Sequence, residues 1–393
     1  VQRSAYAEAV SHLTTALELL KTLPDTPERN QHELTLHIAL GPALITTKGN
    51  AAPEVGQVYS RARELCQHLG DTPQLFPVLW GTWYFHLARA EYQTARELAQ
   101  QCLTLAQDVQ DSALLVPSYY ALGETSLFFG EFTSAQELLE QGIALYDPPQ
   151  HRSLAVQYGQ DPKVTSSSLL AWTLWHLGYP DQALKSMHEA LTLAHELAHS
   201  YSFGFALSLA AVFHQFRREE RLAQERVEAA MTLTTEQGFP VWLTLGTILR
   251  GWALAEQGQE EEGIAQMRAG LAAAQAMGAE SIRPYFLTLL AEAYGKAGQP
   301  EEGLTVVAEA LAVMDKTGER MWEAWLYRLK GQLTLQKFQV PDSKFQVHNP
   351  QSTFRNPQLE AEACFHKAIE IARQQKAQSL ELRAAVSLAR LWR

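Results

Sequence analysis

The sequence predicts an all-α protein, a right-handed superhelical solenoid of about 18 helices arranged as helix–turn–helix hairpins. Three observations predict this fold: a small–large–small triplet recurs along the chain, glycines separate pairs of apolar segments, and prolines or acidic residues follow those glycines. A regular repeat of 20–50 residues is typical of solenoids and related arrays. We therefore expect one continuous array and no separate compact domains.

The triplet places a small residue first, a larger one four positions later and a small one three after that, as in Ala183, Met187 and Ala190. This spacing marks one face of a helix, and small residues on it let a neighbouring helix approach closely. The nine copies begin at Ala9, Val55, Ala95, Ala135, Ala183, Ala223, Gly263, Gly303 and Ala361. Their successive spacings are 46, 40, 40, 48, 40, 40, 40 and 58 residues. We expect each copy to form the second helix of a hairpin that stacks on its nearest neighbours.

A second apolar segment precedes most copies and predicts the first helix of each hairpin. Gly178 and Gly298 lie between the two segments, and Pro180 and Pro300 follow them. Glycine suits the left-handed position after a helix, and proline suits the first helical position. We expect units at about 1–22, 31–70, 73–110, 113–147, 163–199, 201–238, 240–278, 281–318 and 321–376, with a terminal helix at 378–393.

Three spacings depart from the 40-residue period, and the two longest, 48 and 58, indicate insertions. Eight extra residues around 147–162 predict a longer loop between the fourth and fifth units. The second insertion, 338–358, repeats Phe-Gln-Val and Asn-Pro-Gln and has no helical period. We expect 338–358 to be a mobile surface insertion, with a binding loop as the alternative.

Composition excludes several function classes. The net charge is −11, which disfavours a broad nucleic-acid-binding surface. The sequence contains no run of 18 apolar residues, so it predicts no membrane span. Its three cysteines are widely spaced, which excludes a disulfide framework. The chain opens on Val-Gln-Arg-Ser, without a Met or a signal-peptide pattern. We expect it to be a piece of a larger cytoplasmic protein.

Residues 121–123 (Ala-Leu-Gly), Gly130, Ala135 and Gly142 resemble the tetratricopeptide-repeat signature. The 40-residue period is longer than the usual 34. Such variants resemble the sensor arrays at the C-terminal end of bacterial signalling ATPases. The closing stretch, 379–392, resembles the tail of a family that joins a class III nucleotide cyclase domain, an AAA-type ATPase domain and this array. The resemblance implies a non-catalytic regulatory region with cyclase or ATPase modules attached in cis.

One pentapeptide, residues 195–199, matches the zinc motif H-E-x-x-H. On a helix, His195 and His199 would share one face, and Glu196 could act as a general base. A third ligand, Glu219 or Glu220, would lie roughly 20 Å away along helical elements, too far for a bond of about 2 Å. No phosphate-binding loop, dinucleotide fingerprint or nucleophile elbow is present. We expect no catalytic residue, no metal and no cofactor, and keep a zinc metalloenzyme as the alternative.

A concave groove lined by the first helices is the expected binding site. Positions next to the small packing residue of each first helix define its wall. The candidates are Trp80, Tyr84, Tyr120, Glu124, Trp172, Trp175, Trp252, Glu292 and Arg328. Aromatic side chains dominate binding hot spots, so the groove predicts a protein or peptide partner. Two alternatives stay open: the aromatic residues pack between helices, or the solenoid is structural and assembles with itself.

Overall fold

The computed structural model describes residues 2–70, 73–339 and 357–393, and the expected insertion at 338–358 lies almost wholly outside them. The described residues form twenty α-helices. They are α1 Gln2–Leu20, α2 Pro27–Lys48, α3 Pro53–Leu69, α4 Leu75–Ala88, α5 Tyr92–Val109, α6 Ser112–Phe128, α7 Phe132–Leu145, α8 Pro148–His151, α9 Leu154–Tyr158 and α10 Pro162–Leu177. The others are α11 Pro180–Leu197, α12 Ser200–Phe216, α13 Glu220–Gln237, α14 Pro240–Glu256, α15 Glu260–Ala276, α16 Arg283–Lys296, α17 Pro300–Thr317, α18 Glu323–Gln339, α19 Pro357–Gln374 and α20 Gln378–Leu391. The all-α solenoid is confirmed, with two short helices beyond the expected number.

Hairpins are built as the repeat predicts. Eight of the nine triplets begin at a buried residue of the second helix, and Ala9 of α1 is half-buried. The first helices α2, α4, α6, α10, α12, α14, α16, α18 and α20 contact one another in order, and each second helix except α1 packs between two of them. We call these nine the inner helices.

The ends of the helices are set by local capping interactions. Asp161 caps α10 by accepting from the backbone N–H groups of Lys163 and Val164 at 3.0 Å, and Gly178 ends the helix with φ 91°.

The eight extra residues between the fourth and fifth units fold as α8 and α9, and the expectation of a longer loop is wrong. Leu154 and Tyr158 of α9 are buried. The Tyr158 ring lies 4.8 Å from the Trp80 ring and 6.2 Å from the Phe76 ring, centroid to centroid. Burial of these apolar side chains stabilises a segment too short to be helical alone.

Elements five inner helices apart in the chain contact each other, where one superhelical turn lies against the next. The Ala88 carbonyl, at the end of α4, accepts from the N–H groups of Glu280 and Ser281 just before α16, at 2.9 and 3.0 Å. The Phe128 carbonyl, at the end of α6, accepts in the same way from Arg320 and Met321 just before α18, at 2.9 and 3.2 Å. One turn of the superhelix therefore contains five hairpins.

Contacts between elements five inner helices apart occur elsewhere in the chain as well. Gly49 after α2 faces Val241 of α14, and the Trp175 carbonyl in α10 accepts from the Ser379 hydroxyl of α20 at 2.5 Å. The expectation that units contact only their nearest neighbours is therefore wrong. Successive turns lie against each other because central inner helices such as α10 and α12 are apolar on nearly all sides. No helix in the described part of the chain combines the length and apolar character of a membrane span.

Candidate functional site

The aromatic residues expected on the groove wall are all buried. Trp80, Tyr84, Tyr120, Trp172, Trp175 and Trp252 are each at most 4% exposed. They point into the interior that two superhelical turns enclose, and there they pack on other rings. Trp80 lies 5.4 Å from Tyr84 between ring centroids, and Trp175 lies 5.2 Å from Phe216. Such burial stabilises the fold, and the role of these residues in partner binding stays a prediction.

Part of the expected set converges on a cavity of about 100 Å³. Tyr84 of α4, Glu124 of α6 and Trp172 of α10 line it together with Trp242 of α14. The cavity lies between the two turns, beside the hydrogen bonds from residues 280 and 281 to Ala88. Trp80, Tyr120, Trp175 and Trp252 do not line it.

A chain of hydrogen bonds leads to Glu124. The Tyr84 hydroxyl donates to Gln160 Oε1 at 3.3 Å, and Gln160 Nε2 donates to the Tyr120 hydroxyl at 3.0 Å. Tyr120 lies one turn before Glu124 on α6, and its hydroxyl favours the charged form of the Glu124 carboxyl. Glu124 Oε2 is buried without a partner.

Burial disfavours the charged form of Glu124. It raises the pKa of this carboxyl to about 7, and the hydrogen bond from Tyr120 lowers it only in part. Trp242 Nε1 is likewise buried without a partner, whereas Trp172 Nε1 donates to the Leu209 carbonyl at 3.0 Å. Glu124 therefore supplies the one carboxyl group among the described residues that line the cavity. Unsatisfied buried groups such as Glu124 Oε2 and Trp242 Nε1 cost stability.

Glu292 and Arg328, expected as separate charges along the groove, belong to one ion cluster. The Arg218 guanidinium donates twice to the Glu292 carboxylate, at 2.9 and 2.6 Å. Arg328 lies 3.6 Å from the same carboxylate, and Trp325 Nε1 donates to it at 2.9 Å. Although burial opposes it, this cluster lowers the pKa of Glu292 to about 2. Glu292 is thus a structural anion whose hydrogen-bonding capacity is used.

The H-E-x-x-H pentapeptide does not form a zinc face. The first histidine, His195, lies in α11, which ends at Leu197, and Ala198 turns the chain with φ 52°. His199 caps α12, where its Nδ1 lies 2.9 Å from the Ser202 hydroxyl. The two imidazoles belong to different helices, so the helical spacing that the motif requires is absent. No group of three metal-ligating side chains occurs within the described ranges.

Several residues of the site escaped sequence reasoning. Gln160 lies in the segment between α9 and α10, outside the repeat period, and Trp242 lies ten residues before Trp252 on the same helix. Arg218 holds a left-handed conformation after α12, with φ 60°. A useful signal was present: central inner helices such as α10 and α12 lack a polar face, and a helix that is apolar all round is buried all round.

A tetratricopeptide-repeat family model matches residues 166–186. An uncharacterized protein of Rhizobium meliloti (strain 1021) is 26% identical over 394 residues, an alignment that covers 99% of this chain and 36% of that protein. The chain thus spans about a third of the length of this relative.

Two solved structures are similar over nearly the whole chain. Rap protein complexed with Competence and Sporulation Factor has a TM-score of 0.58 at 11% identity, covering 99% of this chain and 98% of that one. NprR in complex with its cognate peptide NprX has a TM-score of 0.51 at 13% identity, covering 93% and 99%. Likeness at this identity establishes the fold, which is that of a tetratricopeptide-repeat array.

Proposed function

We propose that this chain is a non-catalytic array that binds a peptide or protein segment and regulates a larger cytoplasmic signalling protein. The observation that carries the proposal is the cavity between the two turns, where Glu124 is the one charged residue among the described lining side chains. Solved arrays of the same fold have been captured with Competence and Sporulation Factor and with the peptide NprX. The greater length of the Rhizobium meliloti relative leaves room for attached modules such as a cyclase or an ATPase.

The position of the cavity suggests how binding would be transmitted. One side is formed by α4, α6, α10 and α12, and the other by α14, α16 and the connection from Met277 to Ile282. A ligand that binds better to one spacing of the two turns would shift the population toward that spacing. An attached module that senses the same spacing would then be coupled to the ligand. Tyr84, Glu124 and Trp172 are the expected residues that would contact the ligand.

A displayed random-peptide library, selected on the immobilised chain, tests the proposal. Enriched peptides would then be titrated by calorimetry against the wild type and two variants. Ala279→Phe places a ring at the half-buried rim of the cavity, whereas Ala272→Phe makes the same change on the exposed face of α15. We expect one site per chain, with affinity lost at least tenfold in Ala279→Phe and kept in Ala272→Phe.

Circular dichroism and melting temperature must agree between the two variants for the comparison to count. A library that yields no enriched peptide would contradict the proposal. So would peptides that bind Ala279→Phe as tightly as the wild type.

A further inference from the structure

The cavity contains a carboxyl group without a counter-ion. Of the residues described around it, Glu124 is the only acid, and no Lys, Arg or His is among them. Arg89, which lies beside Gly278 near the rim, is already paired with Glu91 at 3.1 Å. Isolated buried carboxylates are costly and normally have a cation or a metal as partner. The missing partner of Glu124 is therefore a positively charged group.

Aromatic rings form part of the remaining wall. Tyr84, Trp172, Phe205, Trp242 and Phe286 all line the cavity. Phe205 and Trp242 are edge to face with ring centroids 5.2 Å apart, and the Nε1 bond from Trp172 to Leu209 fixes the Trp172 ring. The face of an aromatic ring attracts cations, and Trp does so most strongly. A desolvated carboxylate among several rings is the arrangement that receives organic ammonium groups.

We propose that the cavity binds an alkylammonium group, held by the Glu124 carboxylate and the surrounding aromatic rings. The group comes either from a free small amine or from a lysine side chain of the bound peptide. This inference deepens the proposed function and rests on it for the lysine source alone.

The volume of the cavity limits the size of the ligand that it can bind. About 100 Å³ corresponds to roughly three water molecules, so a primary ammonium on a chain of two or three carbons fits. A guanidinium carries five donors in a rigid fork, and with Glu124 as the one carboxylate most of them would lose their hydration without a partner. The cavity should therefore prefer ammonium to guanidinium.

Binding and ionisation of Glu124 are linked. The pKa of its carboxyl is about 7 in the free protein, and an ammonium beside it would lower that pKa. Affinity should accordingly rise between pH 6 and pH 8, because fewer molecules must lose a proton before the ammonium binds. The hydroxyls of Tyr84, Tyr92 and Tyr120, which interact with Glu124, have pKa values raised well above 10. Glu319 accepts from the Tyr92 hydroxyl and has a pKa of about 8, so the pH dependence belongs to Glu124 only if Glu124→Gln removes it.

The test uses propylammonium chloride as the probe, with propanol and guanidinium as comparison ligands at matched ionic strength. The indole N–H signals of Trp172 and Trp242 in nuclear magnetic resonance spectra report occupancy. We expect saturable shifts with propylammonium, tighter at pH 8 than at pH 6, and at least tenfold weaker binding of propanol and guanidinium. The isosteric Glu124→Gln should weaken propylammonium at least tenfold, and the exposed Glu97→Gln should not.

The results distinguish a free amine from a peptide lysine as the ligand, and they test the ammonium site separately from the proposed peptide binding. Saturation by propylammonium with loss in Glu124→Gln supports the site, and preference for library peptides with lysine over the same peptides with norleucine assigns the lysine source. Absence of a saturable shift in the folded wild type, or equal binding of propanol, overturns the ammonium inference without needing a variant. If library peptides still bind and Ala279→Phe still blocks them, the proposed function survives that failure. If propylammonium binds and no peptide does, the free amine is the ligand and the peptide function fails.

Discussion

Gly251 of α14 and Gly263 of α15 lie backbone against backbone: a Cβ atom on Gly251 would stand 2.7 Å from the carbonyl oxygen of Gly263. Gly263 begins one of the nine triplets, and Gly251 lies twelve residues before it, on the first helix of the same hairpin. No flexible side chain can move aside there, because the opposing atom belongs to the backbone.

Gly251→Ala should therefore destabilise the array by about 1–3 kcal/mol, the usual cost of overpacking. Gly204→Ala in α12 is the matched control, since its Cβ would meet side-chain atoms only at 3.5 Å or more. Alanine is the better helix former, so the control should gain about 0.5–1 kcal/mol. Urea unfolding of both variants measures the difference, and equal effects of the same sign would show that backbone contact does not set the hairpin spacing.

Gln110 provides a second prediction, because it ends α5 in the left-handed conformation with φ 55°. Its side chain is exposed, and only glycine adopts this conformation without steric cost. Gln110→Gly should raise the free energy of unfolding by about 0.5–1 kcal/mol. Gln101→Gly, on the exposed face within the same helix, should lower it by a similar amount. Thermal melts of the two variants should move in opposite directions, and a stabilising Gln101→Gly would refute the argument.

The Arg218–Glu292 pair should be worth far more than an exposed one. Only about 10% of the Glu292 side chain is exposed, and removing Glu292 leaves Arg218 and Arg328 without their shared carboxylate. Glu292→Ala should cost about 3–5 kcal/mol. A double-mutant cycle on Arg218 and Glu292 measures the coupling. The same cycle on Arg221 and Glu225, an exposed pair at 2.9 Å, should give less than about 1 kcal/mol. Comparable coupling in the two cycles would contradict the buried cluster.

Glu319 should make stability depend on pH between about 5 and 8. This residue is fully buried, accepts from the Tyr92 hydroxyl at 3.3 Å, and has one carboxylate oxygen without a partner. Burial raises the pKa of its carboxyl from 4.5 to about 8. The folded form thus holds a proton that the unfolded form has lost in this window, so the free energy of unfolding falls as pH rises from about 4.5 to about 8.

Glu319→Gln should remove this contribution. Its melting temperature should exceed that of the wild type at pH 8 by a few degrees, at roughly 2 °C per kcal/mol, and differ little at pH 5. Some pH dependence will remain because Glu124 has a raised pKa as well. The exposed Glu97→Gln serves as the control and should leave the pH profile of the wild type unchanged. A Glu319→Gln profile as steep as that of the wild type would show that Glu319 is ionised in the folded chain.

Local features of the fold were predictable from sequence, and the site was predictable in part. The triplets that begin at Ala183 and Gly303 predict which face of the helix packs, because small residues at helical spacing let a neighbouring helix approach closely. No pattern in the sequence predicted the contact between successive turns of the superhelix. The contact between Ala88 and Glu280 joins residues five hairpins apart in the chain, and its geometry depends on small rotations summed over those hairpins. Tyr84, Glu124 and Trp172 were placed on the inner helices, but the depth of their burial follows from that contact between turns.

Five hairpins per turn also set the kinetics of folding. In an array with neighbour contacts alone, each unit folds on the one before it and the ends fray first. Here the backbone bonds from residues 280 and 320 to residues 88 and 128 close very long loops, and such contacts form late because their loop entropy must be overcome first. The earlier turn must wait for the later one before its last hydrogen bonds form. The array should consequently fold slowly and unfold as a single cooperative unit.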